Sequence, residues 1–440
     1  MGSLRFMMCV LVFSIVNQLH LPEFGVKGLN IQNILAFLIL VQVLRVGSDS
    51  PRPTPFKTGV VMLIAALTYG FVVGVARDST EWVNDLTAIK NGVFYPLMFL
   101  LFYHGIRDLR TAEVVLAAIL ATAALAGVEA IREGLDYGIE MYSDTKRASG
   151  PFGSDYRASN LAAVYFCIFF PMFVSIGFFA TTRPMVRLLA LGGAALIVLG
   201  TFVTYSRQAY AILTLVVMLL AARRNLLLLI PALLALVAYD LWVPDTVVER
   251  IAMTEQGDDF TQRKLDDSTE SRFELWEAAW RMFSDHPLGV GLGHFKRMIG
   301  QYAPTYAGMD AHNFYVLFLA ETGVVGVSLL AATVLSLAWL AWHIGKLATT
   351  AESRAVAIGF QLSVVAALAG NLYGSRMLDG AVTGTFWILA AAALRFVMLT
   401  EQRAADCALV TTVPVVAGRA MQGAGARVSE HHAPGSTRMR

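Results

Sequence analysis

Apolar residues in this chain fall in long, nearly unbroken runs, with polar residues collected between them. The hydrocarbon core of a bilayer is about 30 Å thick and takes about 20 apolar residues as a helix. Twelve runs qualify as candidate spans: 4–20, 29–46, 58–76, 87–103, 111–131, 158–180, 185–203, 207–222, 224–243, 312–343, 354–373 and 377–399. The apolar stretch 188–222 is too long for one span at about 1.5 Å per residue. It carries Tyr205-Ser206-Arg207 in its middle, so two short helices turning at 204–207 are expected. The run 312–343 is longer than a bilayer needs and is expected to tilt or to project from one face. The pattern predicts an all-α integral membrane protein of about 12 transmembrane helices.

Charge in the short loops orients these helices, because cytoplasmic loops collect Lys and Arg. With the N-terminus inside, successive inner loops hold Arg45, Arg52 and Lys57, then Arg107 and Arg110, then Arg183 and Arg187. Arg223 and Arg224 follow, then Lys346 and Arg354, and Arg403 in the tail. The first two outer loops hold Glu23 and Lys27, then Arg77, Asp78, Glu81 and Asp85. Both termini are therefore expected in the cytoplasm. The first run, with Arg5 ahead of an apolar stretch, resembles a signal peptide. Asn17-Gln18-Leu19-His20 offers no small-residue cleavage site, so it is expected to stay as the first helix. Residues 1–243 are expected to hold nine spans, with an outer loop at 132–157. Residues 244–311 form a large outer loop, 312–400 the last three spans, and 401–440 a disordered cytoplasmic tail.

Composition narrows the classes. Of 440 residues, 56% are apolar and 15% charged, and the mean hydropathy is +0.60. A soluble domain carries about 25% charged residues. An ordinary soluble enzyme and a disordered chain are excluded. A formal charge of +2 leaves no basic footprint for a nucleic acid. Cys9, Cys167 and Cys407 are scattered and form no CxxC, so no zinc site or disulfide framework is implied. No GxxxxGK[ST] segment occurs, which leaves nucleotide-driven chemistry without a motif.

Polar residues concentrate in the loops 132–157 and 244–311. The second holds twelve acidic against seven basic residues, a net charge of −5. Within it Phe273, Trp276, Trp280 and Phe283 fall on one face of a helix over 270–283, with Ser268 and Thr269 available as caps. Such a helix suits the membrane interface; the alternative is a helix packed on the loop's own core. Gly289, Gly291 and Gly293 alternate in a flexible segment, read as a plain loop ahead of a phosphate cradle. The acidic pairs Asp258-Asp259 and Asp266-Asp267 read as solvated loop rather than a Ca²⁺ site. Asp310-Ala311-His312-Asn313 opens a long helix, and imidazole is suited to accept a proton near neutral pH. Glu321 lies further down that helix as an intramembrane carboxylate, and such groups serve either function or an internal partner. Arg147, Arg157, Arg207 and Arg272 all map to the outer face. Guanidinium binds phosphate bidentately and keeps its charge. The alternatives for each are headgroup anchoring and salt bridges to the loop's acids.

Three segments, in order, resemble the O-antigen ligase and polymerase superfamily: Thr204-Tyr205-Ser206-Arg207, Glu270-Ser271-Arg272 through Trp276 to His286-Pro287-Leu288-Gly289-Val290-Gly291, and His312-Asn313 followed by Glu321-Thr322-Gly323-Val324-Val325-Gly326. The match covers roughly 188–345, and Arg147-Ala148-Ser149-Gly150-Pro151-Phe152 looks like the family's Arg-x-x-Gly-x-Phe stretch. The set looks closest to the lipopolysaccharide O-antigen ligases. The resemblance implies a metal-independent inverting glycosyltransferase of the GT-C type, with no cofactor. It implies transfer of O-antigen from undecaprenyl pyrophosphate to lipid A-core at the periplasmic side of a Gram-negative inner membrane. Carried over by motif, His312 would be the general base and Arg207 and Arg272 the diphosphate ligands, with Arg147 a fourth member of the set. The carry-over does not reach Arg157 or Glu321; Arg157 joins the diphosphate set by its place at the outer face, and Glu321 and Asn313 stand as supporting residues. An O-antigen polymerase and a protein O-oligosaccharyltransferase share the motifs and the donor. A lipid-linked sugar transporter would instead place charges at the midplane and show repeats between halves.

Overall fold

The structure, a computed structural model, describes the chain except residues 1, 23, 26–28, 46, 48–52, 79, 81, 139–142, 144, 154–157, 181–182, 242, 253–254, 257–263, 266 and 413–440. The side chains of 255–256, 264–265, 267–269 and 409–412 also lie outside the description. The chain divides into a unit of residues 1–401 and a unit of residues 402–440.

The helices are α1 (Gly2–Val16), α2 (Ile31–Arg45), α3 (Lys57–Arg77), α4 (Trp82–Gly105), α5 (Leu109–Tyr137), α6 (Ser159–Phe179), α7 (Pro184–Val203), α8 (Arg207–Arg224) and α9 (Leu229–Val237). After them come α10 (Asp245–Ala252), α11 (Asp267–Asp285), α12 (Phe295–Tyr302), α13 (Phe314–Leu347), α14 (Ala351–Gly370) and α15 (Gly380–Thr412). A two-residue antiparallel pair, β1 (Glu255–Gln256) and β2 (Lys264–Leu265), lies between α10 and α11. Among the described residues eight helices, α3 to α7 and α13 to α15, are long and apolar enough to cross a membrane. The other apolar runs hold shorter helices: α1, α2, the Leu226–Val237 stretch, and α8, whose last turn carries Arg223 and Arg224. A multi-pass membrane protein follows from these lengths and compositions.

A helix that is apolar all round belongs inside a bundle. α6 is such a helix, buried along nearly its whole length, and so is α15 from Phe386 to Leu394. Small residues let the backbones meet where the bundle is tightest. A Cβ at Gly359 of α14 would lie 3.0 Å from Met172 Cα of α6, and one at Gly200 of α7 would lie 3.3 Å from Gly127 Cα of α5.

The 188–222 stretch breaks where Tyr205-Ser206-Arg207 interrupts it: α7 ends at Val203, Tyr205 takes φ +49°, and α8 starts at Arg207. α13 starts at Phe314, with Asn313 as its cap accepting from the N–H groups of Tyr315 and Val316, so His312 precedes the helix. α13 is also kinked at Gly323, at φ +61° and ψ −163°, and is not the straight element its length suggests. The residues after 401 are not all irregular: Ala-rich sequence carries α15 on to Thr412, and the rest of the expected tail lies outside the described residues.

The 244–311 loop builds a small core of its own. Leu275, Ala278, Ala279 and Met282 form one buried face of α11 and pack with Val290, Phe295, Ile299 and Ala311 on Leu317 and Ala320 of α13. The aromatic stripe runs beside that face rather than along it: Phe273 is 49% and Trp280 59% exposed. The helix thus packs on the loop's own core and keeps an apolar edge outward.

Candidate functional site

The last carbonyls of a helix lack intrahelical partners. At the end of α14 two of them, and the carbonyl of the capping residue Asn371, gather other segments. Leu368 O accepts the Tyr315 hydroxyl at 2.9 Å, Gly370 O accepts Gln208 Nε2 at 2.8 Å, and Asn371 O accepts the Phe314 N–H at 3.0 Å. Gln208 follows Arg207, and Phe314 and Tyr315 follow His312-Asn313. Residues distant in sequence are thereby drawn to one helix end.

His312 has φ +51°, a left-handed conformation that non-glycine residues rarely adopt. Its backbone N–H donates to Asp310 Oδ2 at 3.3 Å, and the same oxygen accepts Ser375 Oγ–H at 2.9 Å. The loop between α14 and α15 is thus tied to the His312 turn. That loop also presents Tyr373, whose ring lies 5.6 Å from the Arg272 guanidinium carbon and 5.8 Å from the Trp276 ring. Trp276 Nε1–H donates to Ala311 O at 2.9 Å. The start of α11, with Arg272, is therefore pinned beside the residue that precedes His312.

Arg207 is the first residue of α8, immediately after the 204–206 turn. Arg147 stands one step behind it. Its Nε donates to Thr204 O at 2.9 Å and its Nη2 to Asn160 Oδ1 at 2.8 Å, while Ala148 N–H donates to Val203 O at 3.1 Å. The buried Arg147 guanidinium thus holds the turn from which Arg207 projects. Arg157 lies outside the described residues.

Glu321 is buried within α13, where its carboxylate accepts the Phe295 N–H at 3.3 Å, so it acts as an anchor for the start of α12. The glycine-rich loop is committed in the same way. Val290 N–H donates to Ala320 O, Gly291 N–H to Glu321 O and Leu292 N–H to Gly70 O, at 3.0, 2.9 and 2.9 Å. A Cβ at Gly289 would sit 2.4 Å from Glu321 O, and one at Gly323 2.3 Å from Leu288 C. Gly289 serves close backbone packing against the α13 kink and Gly291 against Gly74 of α3, and the N–H groups of Val290, Gly291 and Leu292 face carbonyls rather than a phosphate.

A cavity of about 330 Å³ opens beneath the loop, lined by apolar residues including Leu67, Leu292, Leu337 and Trp387 and edged by Lys296 and Asp310. Beside it, Asp85 of α4 pairs with Arg297 at 2.8 Å and His294 at 3.0 Å in a buried cluster joining α4 to the loop. Asp85 had been placed in an outer loop by the sequence; α4 begins earlier, at Trp82.

Sequence reasoning missed the α14–α15 connection, Asn371-Leu372-Tyr373-Gly374-Ser375-Arg376-Met377-Leu378-Asp379. Its polar interruption between two apolar runs was the available signal. Burial pulls the Arg376 guanidinium below its ordinary pKa, an effect that nearby Arg272 adds to and Asp379 and Asp310 oppose. Burial likewise pushes the Asp379 carboxyl above the usual carboxylate range, against the N–H groups of Val382 and Ala381 and the Arg376 charge. Among the described residues no group of three or more His, Cys, Asp or Glu side chains could hold a metal ion. What gathers at this end of the bundle is an imidazole, guanidinium groups and an aromatic ring. That set can take up an anion and a proton.

No curated protein matches the chain. Residues 192–331 match the family described as O-Antigen ligase, a segment that runs from within α7 into α13. That segment, which holds Arg207, Arg272 and His312, is similar to the O-antigen ligase family.

Proposed function

We propose that this protein is an inverting, metal-independent glycosyltransferase that ligates O-antigen polysaccharide from undecaprenyl pyrophosphate onto lipid A-core. In this reading twelve helices of a GT-C-type fold cross the inner membrane, both termini are cytoplasmic, and the 244–311 loop lies in the periplasm. The reading is supported above all by one observation: the segments carrying Arg207 and His312 are both hydrogen-bonded to the last carbonyls of α14, and the loop that follows packs on Arg272.

The chemistry needs three things. A base takes the proton of the attacking sugar hydroxyl, and His312 is suited to that role. The hydroxyl oxygen bonds to the anomeric carbon on the face opposite the diphosphate, which inverts the configuration. The bond from that carbon to the phosphate oxygen breaks, and undecaprenyl pyrophosphate leaves with the electron pair. Arg207 and Arg272 stabilise the charge growing on the diphosphate, a preorganised electrostatic role. Arg147 acts by holding the Arg207 turn. The apolar cavity under the loop suits part of the lipid, and α11, with its exposed Phe273 and Trp280, suits a lid at the interface.

The test is transfer by the purified chain of glycan from undecaprenyl pyrophosphate to lipid A-core, with EDTA present and no nucleotide, followed on a gel. Glycan on lipid A-core is the expected result. Lengthening on the carrier alone would make the protein a polymerase with the same donor. No transfer by a folded, donor-binding sample would overturn the glycosyltransferase reading in favour of a transporter or a protein-directed transferase.

A further inference from the structure

The α14–α15 loop carries Arg376 and meets Arg272 through Tyr373, whose ring lies 5.6 Å from the Arg272 guanidinium carbon, and Asp310 through Ser375 at 2.9 Å. Arg376 is within electrostatic reach of Arg272, Asp310 and Asp379 as well. One oxygen of each carboxylate is already engaged. Asp310 Oδ2 accepts from His312 N–H and Ser375 Oγ–H, and Asp379 Oδ1 accepts from the N–H groups of Ala381 at 2.9 Å and Val382 at 3.4 Å, capping α15. Among the described residues the buried Arg376 Nε has no acceptor and its guanidinium no ion pair. A buried donor without an acceptor is costly, and more so on a cation.

Gly374 shows that the loop is shaped around this group. A Cβ there would lie 2.6 Å from Arg376 Nε and 3.1 Å from Cζ and Nη2. Only a residue without a side chain leaves the guanidinium its place. The loop is fixed as well, by Met377 N–H to Asn371 Oδ1 at 2.9 Å and by the Ser375–Asp310 bond. A cation on a fixed loop, with a donor unfilled and a second guanidinium nearby, fits an anion that spreads its charge over two centres.

We infer that Arg376 is a further ligand of the donor's diphosphate, acting with Arg272 to select a diphosphate over a monophosphate. The inference rests on the proposed donor class. It lies outside the segment that matches the O-antigen ligase family, which ends at residue 331.

The test compares binding of undecaprenyl pyrophosphate and undecaprenyl monophosphate to the full chain in detergent micelles, for wild type, Arg272→Gln, Arg376→Gln, Arg376→Lys and Gly374→Ala. Arg376→Gln is expected to weaken the diphosphate lipid about tenfold, the scale of one lost charge-assisted contact, and the monophosphate lipid much less. Arg376→Lys should recover part of the affinity and little of the preference, since an ammonium does not bind bidentately. Gly374→Ala keeps the charge and moves the guanidinium, so it should also lower the preference. A purely structural role would lower both affinities alike. If Arg272→Gln loses the preference while Arg376→Gln and Gly374→Ala keep it, the inference is overturned and the proposed function stands. If wild type binds neither lipid, the donor reading falls and takes this inference with it.

Discussion

The Asp310 carboxylate accepts the backbone N–H of His312 across a two-residue turn, and His312 sits in that turn at φ +51°. A left-handed residue persists where its surroundings over-determine it. Here the determinants are the Asp310 bond on one side and the Asn313 cap on the other, and Ser375 joins the first to the α14–α15 loop. Asp310 is therefore a positioning residue for the imidazole. Asp310→Ala should lower kcat for transfer by about tenfold, the scale of a lost positioning contact, and leave the donor KM nearly unchanged. Ser375→Ala, which removes one of the two contacts, should have the smaller effect. A kinetic split of the two constants checks this; a change confined to KM would reassign Asp310 to binding.

The same backbone angle separates strain from chemistry at His312. His312→Ala keeps a Cβ in a left-handed conformation, and His312→Gly does not. Both should be inactive in transfer while still binding donor. The glycine variant should retain more stability than the alanine variant, by about 1 kcal/mol, apart from the entropy glycine loses on folding. Thermal unfolding in detergent, paired with the transfer assay, reads both. Activity in the glycine variant would remove the base from the mechanism.

Arg147 and Arg207 should part company. Arg147 directs Nε at Thr204 O and Nη2 at Asn160 Oδ1, inside the bundle. Arg147→Ala leaves both acceptors unsatisfied and should cost about 2 kcal/mol of stability, with loss of activity following from the displaced turn. Arg207→Lys should melt close to wild type, yet use donor poorly because the bidentate fork is gone. Melting temperatures and donor KM values for the pair give the comparison. A stable, well-folded Arg147→Ala with only a raised donor KM would return Arg147 to the diphosphate ligands.

How much of this was legible depended on whether the cause was local. The apolar runs were, because a bilayer-length helix declares itself in composition. The turn before Arg207 was, because Tyr205-Ser206-Arg207 interrupts an apolar stretch. The buried face of α11 was not: the aromatic stripe marked a helix, but Leu275, Ala278, Ala279 and Met282, one position further round, carry the packing. The alternating glycines suggested exposed N–H groups, whereas Gly289 is needed for the close passage of the backbone against the kink at Gly323 and Gly291 for its passage against Gly74 of α3. Arg147 looked like its fellow arginines because sequence shows charge and not the carbonyl it faces. Arg376 was hidden for a related reason. The loop that carries it meets Arg272 through Tyr373 and Asp310 through Ser375, contacts between residues distant in sequence that the fold alone makes.

The Asp379 carboxyl gives a pH signature at this end of the bundle. Burial raises its pKa above the usual carboxylate range, while Arg376 and the N–H groups of Ala381 and Val382 hold it partly back; Tyr95 of α4 also faces it. Between the unfolded and the raised folded pKa the folded state binds the extra proton, so stability falls as pH rises through that window. Once both states are ionised the cost is fully present, and below both pKa values it is absent. Asp379→Asn keeps a side-chain oxygen for the α15 cap and removes the charge. At neutral pH it should therefore melt at or above wild type, with the gap closing as the pH is lowered toward the ordinary carboxylate range. Melting curves of both proteins across that range, in one detergent and one salt concentration, make the comparison. A gap that widens on acidification would mean that the charged form of Asp379 is the one the fold stabilises, through Arg376.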